Sequence, residues 1–113
     1  MFMRWKNALY CGRFQPPHHG HLNSVKYGLK LAERVLIGIR DTPLTLKNPL
    51  TVDERIEAWR RLLISEELWN RVIVKRIPDF DKETPLPRED KVIFEGHPLL
   101  NWAREVEHIF GTS

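Results

Sequence analysis

The 113-residue sequence contains a single cysteine, Cys11, and no long apolar run. One thiol forms no intrachain disulfide and provides no thiolate cluster for structural zinc, a pattern typical of a reducing compartment. No apolar stretch approaches the ~18 residues that a membrane-spanning helix needs, and the first residues lack the apolar segment of a secretory signal. We therefore expect a cytoplasmic protein without a membrane partner.

The chain also lacks internal repeats and a concentrated block of charge. Its length is that of one domain, which we expect to span residues 1–113. Its 18 Lys and Arg residues exceed its 15 Asp and Glu residues, giving a net charge of +3, but the basic residues are scattered. We expect no nucleic-acid partner, because such binding is favoured by a clustered basic surface. Small polyanions such as nucleotides are compatible with this charge, since a few placed cations suffice for them.

Short apolar runs alternate with helical patterns along the chain. Buried strands are predicted at residues 7–12, 35–39, 72–77 and 91–96. Between the first two strands, Leu22, Val25 and Leu29 recur at helical spacing and predict an amphipathic helix over residues 19–33. The first strand, this helix and the second strand form a predicted βαβ unit.

Two further helices and a loop complete the predicted order. Thr51 is a candidate N-cap, with Glu54 three positions on, and predicts the start of a second helix. Residues 79–90 carry no periodicity and are predicted to form an exposed loop. Pro98 is predicted to open a last helix that continues to about Phe110. The alternation predicts an α/β fold with a Rossmann-like parallel sheet and helices on both faces.

A loop rich in polar groups follows the first predicted strand, with the sequence GRFQPPHHGH at residues 12–21. Gly20 has no side chain at the start of the helix, so a phosphate can approach backbone N–H groups where the helix dipole is positive. His18 and His21 are three positions apart, which places both imidazoles on the same side of a helical turn. The loop is therefore a candidate phosphate-binding site.

The same histidines allow two other interpretations. An isolated pair is more often a surface or capping feature, but its position between a strand end and a helix start favours phosphate binding. A metal site at His18, His19 and His21 is disfavoured, because no nearby Cys, Asp or Glu completes a ligand set. The glycine-rich dinucleotide motif and the Walker P-loop are both absent, so phosphate binding here depends on histidine.

The GRFQPPHHGH segment resembles the GRFQPxHxGH signature of the HxGH nucleotidyltransferase superfamily, in the form typical of archaeal nicotinamide-mononucleotide adenylyltransferases. Residues 47–55, KNPLTVDER, are similar to the basic-x-P-F-T-x-x-E-R segment of that family. Weaker similarities lie at residues 77–79 and 96–99. The resemblance implies ATP and Mg²⁺ as substrate and cofactor. It also implies adenylyl transfer to a mononucleotide, namely nicotinamide mononucleotide in the enzymes that the segment most resembles, with release of pyrophosphate.

Residue by residue, the resemblance implies a catalytic role for His18, His21 and Lys47. It implies nucleotide binding by a second set of residues, namely Gly12, Arg13, Phe14, Gly20 and Arg55. For Arg55 a solvated salt bridge is an equally good interpretation, because arginine is common on the same predicted helix. Trp59, Trp69 and Trp102 are expected to pack in a core or interface rather than to stack on a base.

One motif of the superfamily is missing. Its catalytic domain usually ends with a serine- and threonine-rich segment of the type S-[ST]-T-x-x-R, whereas this sequence stops at residues 111–113, GTS. We therefore expect a short or C-terminally truncated member. The alternatives are a nucleotide-binding module without turnover, or transfer from ATP or CTP to another small phosphorylated acceptor.

Self-association is the last expectation from the sequence. A sheet of about four strands leaves an uncovered edge, and three apolar residues are candidates for an exposed patch. They are Leu99, Trp102 and Phe110. We therefore expect a homo-oligomer.

Overall fold

Three parallel strands form the centre of the fold in a computed structural model that describes residues 4–78, 91–98 and 100–111. They are β1 (Trp5–Gly12), β2 (Ala32–Asp41) and β3 (Val72–Pro78). A fourth strand, β4 (Val92–Phe94), completes a sheet with the order β3-β2-β1-β4. All four strands occur where the sequence predicts them, although β2 begins at residue 32 rather than 35 because the preceding helix ends earlier, at residue 31.

Alternate residues of each strand point to opposite faces of the sheet. Both faces are buried, because helices pack on each of them. Tyr10 lies in one core cluster, whereas Leu9 and Cys11 lie in the other. The helices are α1 (His19–Leu31), α2 (Val52–Ser65) and α3 (Glu107–Phe110), the last preceded by a π-helical turn (Trp102–Val106). Helices α1 and α2 pack on the face of Tyr10, and α3 with its π-helical turn packs on the other. The predicted α/β architecture with helices on both faces is confirmed.

The parallel pairing brings the carboxyl ends of β1, β2 and β3 to the same edge of the sheet. Gly12 at the end of β1 pairs with Ile39, and Arg40 near the end of β2 pairs with Ile77. The loops that follow β1 and β2 therefore begin close together, and they lead into α1 and α2. In open parallel sheets this is the edge where ligands bind.

Strand β4 runs antiparallel to β1, which corrects the prediction of a fully parallel sheet. Its three residues pair with residues 8–10 of β1. The Glu95 carboxylate then accepts hydrogen bonds of 2.7 and 2.8 Å from two backbone N–H groups at the start of β1. Such charge-assisted bonds stabilise the antiparallel direction. Residues 96–98 consequently lie near the start of β1, at the edge opposite to residues 12–21.

The last helical segment begins later than predicted. Pro98 lies in a turn closed by a 3.1 Å hydrogen bond from the Leu100 N–H to the His97 carbonyl. Asn101 acts as the N-cap instead, because its side-chain oxygen accepts a hydrogen bond from a backbone N–H of the first turn. The helical segment therefore starts at Trp102.

The expected exposed patch is wrong for one of its three residues. Phe110 is only 5% exposed, because it packs with Leu9 and Leu36 on the second face of the sheet. Trp102 is partly buried against the same cluster. Leu99 and the loop predicted at residues 79–90 lie outside the described residues. Within the described ranges, no helix is long and apolar enough to cross a membrane.

Candidate functional site

The first turn of α1 is capped by two histidines that bind each other's backbone. His18 is the N-cap residue, and its Nδ1 accepts a 3.0 Å hydrogen bond from the Gly20 N–H. The His18 N–H donates in turn to Nδ1 of His21 at 3.1 Å. The two rings stack with their centroids 3.7 Å apart. This is a capping box in which imidazoles replace the usual hydroxyl and carboxylate.

These hydrogen bonds determine where the neutral histidines carry their protons. A nitrogen that accepts a hydrogen bond holds no proton, so the neutral form of each ring is protonated on Nε2. Burial, and to a smaller extent the charge of His18, lower the pKa of His21 from 6.5 to about 4. At neutral pH, His21 is therefore an uncharged imidazole whose Nε2–H can donate to an anion.

Aromatic side chains surround the inner side of His21 and account for its burial. Phe14 contacts the imidazole edge-on, with ring centroids 5.0 Å apart, and Tyr10 and Trp59 follow at 6.4 and 6.3 Å. Phe14 is buried despite a φ of 52°, a left-handed conformation that is uncommon for a residue with a large side chain. Trp59 is fully buried, which confirms that it packs in the core.

Gly20 makes room for this arrangement. A Cβ atom at Gly20 would lie 2.9 Å from Cε1 of His18 and 3.0 Å from its Nδ1, closer than van der Waals contact allows. Because residue 20 has no side chain, the His18 ring can fold over the first turn in its present position. The same turn carries the partial positive charge of a helix N-terminus, which favours anions.

Arg55 holds three segments of this edge together. Its side chain is fully buried, and its Nη1 donates to the carbonyls of Arg13 and Arg40 at 2.6 and 2.8 Å. Its Nε donates to the Thr51 carbonyl at 3.1 Å. The interpretation of Arg55 as a solvated salt bridge is wrong, because the guanidinium is out of water. Phosphate binding by Arg55 stays a prediction, and its carbonyl partners favour a structural role.

A pair of hydrogen bonds joins the loop of residues 12–21 to the segment before α2. The Gln15 side chain donates to the Leu50 carbonyl at 3.1 Å and accepts from the Leu50 N–H at 2.9 Å. Lys47 lies on this second segment and is exposed. Gln15 was not a predicted site residue, although it stands inside the GRFQP segment that resembles the family signature.

The remaining predicted residues lie at the same edge of the sheet. Gly12 is the last residue of β1 and is buried, whereas the Arg13 side chain is exposed. Arg40, near the end of β2, is buried, and its guanidinium donates to the Pro78 carbonyl at 2.9 Å. No pattern in the sequence separates this buried arginine from the exposed ones. Among the described residues, no group of three or more His, Cys, Asp or Glu side chains is placed to hold a metal ion.

The family of the chain follows from a match over most of its length. The profile described as cytidylyltransferase-like matches residues 9–104, which include both histidines and the Lys47 segment. The chain belongs to this family.

Curated relatives have a more specific name. A nicotinamide-nucleotide adenylyltransferase of Aeropyrum pernix is 42% identical over 77 residues, covering 66% of this chain and 45% of the relative. The enzyme of the same name from Thermococcus onnurineus is 34% identical over 105 residues, covering 84% and 56%. That of Pyrococcus abyssi is 35% identical over 103 residues, covering 82% and 55%. The chain spans about half the length of these relatives.

Proposed function

We propose that this chain takes part in adenylyl transfer from ATP to nicotinamide mononucleotide. A phosphate oxygen of the mononucleotide attacks the α-phosphorus of ATP, the bond from that phosphorus to the bridging oxygen breaks, and pyrophosphate leaves. The observation that carries the proposal is the pair of stacked histidines at the N-terminus of α1, both with Nδ1 engaged by the backbone. The name shared by the relatives supports the same reaction.

The histidines act as preorganised donors in this proposal. Their Nε2–H groups bind phosphoryl oxygens of the triphosphate, on which negative charge develops as the α-phosphorus is transferred. Because the backbone already holds both rings, little reorganisation is required when that charge appears. A neutral His21 donates such a bond without the cost of burying a positive charge.

Lys47 and Arg13 supply positive charge around the same triphosphate. Both side chains are exposed, and each lies on one of the two segments joined by Gln15. Gly12 and Phe14 shape the backbone of the first segment, and Gly20 leaves room for the His18 ring over its helical turn, where the Gly20 N–H already donates to His18. We propose that Mg²⁺ arrives bound to ATP, since it commonly binds proteins through substrate phosphates and keeps several waters.

A second candidate is cytidylyl transfer, which the description of the matching family favours. In this proposal the histidine pair contacts phosphates and not the base, so it does not discriminate between ATP and CTP. The preferred nucleotide is found by comparing the two as substrates. The location and assembly of the protein also stand as proposals, namely a cytoplasmic homo-oligomer that binds small nucleotides. Sedimentation at micromolar concentration that showed only a 13.4 kDa species would contradict the assembly.

The test combines binding and turnover. Titration calorimetry with a non-hydrolysable ATP analogue and Mg²⁺ should show binding that is weakened in His18→Ala. The matched control is His19→Ala, which removes an exposed imidazole from the same helical turn and should leave binding intact. Release of pyrophosphate with ATP and nicotinamide mononucleotide, compared with CTP and other acceptors, then identifies the reaction. Binding of ATP without any release would identify a nucleotide-binding module instead.

A further inference from the structure

The side-chain amide of Gln15 pairs with the backbone of Leu50 in the way that one residue of a β-sheet pairs with its neighbour, and we call this pair of hydrogen bonds the bridge. The amide satisfies both the N–H and the carbonyl of Leu50, at 2.9 and 3.1 Å, across 35 positions of sequence. A single side chain that makes both bonds fixes the position and the orientation of the backbone it contacts. The bridge lies three residues before His18, and it is partly buried.

The segment held by this bridge presents Lys47 on a closed turn. The Thr45 N–H donates to the Asn48 carbonyl at 3.1 Å, and the Asn48 N–H donates back to the Thr45 carbonyl at 3.2 Å. The Thr45 hydroxyl also accepts from the Asn48 N–H at 3.0 Å. Leu46 and Lys47 occupy the tip, where Leu46 is fully exposed. The turn is thus rigid internally, and its placement depends on the chain that leads to Leu50.

The other side of Leu50 is fixed independently. Thr51 caps α2, its side chain accepting from the Glu54 N–H at 3.1 Å, and the buried Arg55 holds its carbonyl. The start of α2 therefore does not need Gln15 for its position. What Gln15 adds is a fixed relation between the Lys47 turn and the loop that ends at His18.

We propose that Gln15 is a positioning residue that holds the Lys47 turn against the loop of the two histidines, so that one triphosphate meets the ammonium group and both imidazoles together. The proposal rests on the proposed function. Without the bridge, the turn would sample many positions. The entropy lost in ordering the turn would then offset the favourable binding free energy of Lys47. Gln15 thereby determines how much Lys47 contributes, while making no contact with the nucleotide itself.

A double-mutant cycle separates positioning from a general effect on stability. Binding of the ATP analogue with Mg²⁺ is measured for the wild-type chain, Lys47→Ala, Gln15→Met and the double variant. Methionine keeps the length of the glutamine side chain and removes both hydrogen bonds. We expect Lys47→Ala to weaken binding about tenfold in the wild-type background, as expected for a lost charge-assisted contact, and less than twofold in Gln15→Met. A full tenfold loss in both backgrounds overturns the proposal.

Two further variants make the cycle decisive. Gln15→Glu keeps an acceptor for the Leu50 N–H and loses the donor, so the effect of Lys47→Ala should lie between those in the wild-type and Gln15→Met backgrounds. Gln15→Leu, which also lacks both hydrogen-bonding groups, replaces Gln15→Met if that variant fails to fold. Lys30→Ala is the control, because this exposed lysine lies about 18 Å along α1 from His18 and should change binding in neither background. A loss of binding in Lys30→Ala as large as in Lys47→Ala would overturn the special role of the turn.

Hydrogen exchange gives a readout that needs no nucleotide. The Leu50 amide should lose protection in Gln15→Met and keep it in Lys47→Ala, and unchanged protection in Gln15→Met overturns the bridge. The outcomes also distinguish the two proposals. Absence of ATP binding by the wild-type chain overturns the proposed function together with the positioning role. Wild-type binding with an unchanged Lys47 effect in Gln15→Met overturns only the latter.

Discussion

Replacing Gly20 by alanine tests whether the His18 ring must occupy its present position. The new Cβ would lie 2.9 Å from Cε1 of His18, so the ring has to move by several tenths of an ångström or rotate away. Either movement weakens the 3.0 Å bond from the Gly20 N–H and the 3.7 Å stack on His21. The perturbation therefore acts on the imidazole that caps α1.

Gly20→Ala should change the stability of the chain little and its turnover much more. Loss of an N-cap costs about 1 kcal/mol, and alanine in place of glycine returns up to about 1 kcal/mol of helix propensity. We therefore expect the free energy of unfolding of Gly20→Ala to stay within about 1 kcal/mol of wild type. A donor displaced by about 1 Å can cost about 10²-fold in rate, so a ring that moves by several tenths of an ångström or rotates away should lower pyrophosphate release by about 10- to 100-fold.

The assay compares Gly20→Ala in two backgrounds. Urea unfolding gives the stability, and pyrophosphate release with ATP and nicotinamide mononucleotide gives the turnover. In the His18→Ala background, Gly20→Ala should cost little more, because the ring that it displaces is gone. Near-normal turnover of Gly20→Ala would refute the reasoning. An equal loss of turnover in both backgrounds would refute it as well, because it would indicate that the new methyl group obstructs the phosphate directly.

Three other predictions concern His21, Lys47 and Arg55. His21→Ala should lower turnover by about 10²–10³-fold with little change in the Michaelis constant, whereas Lys47→Ala should mainly raise that constant, as steady-state kinetics will show. Arg55→Met should lower the free energy of unfolding, measured by urea denaturation, by about 2–4 kcal/mol. The reason is that the buried carbonyls of Arg13 and Arg40 lose their donor. Unchanged stability would contradict that anchoring role.

The pH dependence of stability completes this group. Because the pKa of His21 is lowered to about 4 in the folded chain, the unfolded chain takes up a proton first, and stability should fall as pH drops from 6.5 toward 4. His21 is only partly buried, so solvent screening reduces this contribution to about 1 kcal/mol. The fall should be smaller in His21→Ala, and an equal fall would contradict the assignment.

The candidate site was predictable where it depends on neighbours in sequence. His18 and His21 are three residues apart at the start of a helix, so their position on one side follows from helical geometry. The roles of Gln15 and Arg55 were not predictable in this way. Their partners lie 35 and 42 positions away, and one arginine in a helical pattern does not reveal whether it will be buried.

The sequence by itself determined the order of strands and helices, the burial of both sheet faces and the polar loop of residues 12–21, because hydrophobic periodicity and capping are local properties. Only the tertiary structure decided the direction of β4, since a three-residue edge strand can pair either way and the Glu95 carboxylate favours the antiparallel one. The tertiary structure also decided which nitrogen of each neutral histidine carries the proton. Nδ1 of each histidine accepts a backbone hydrogen bond, and the packing of Phe14 against His21 removes water from that ring, which no spacing of residues records.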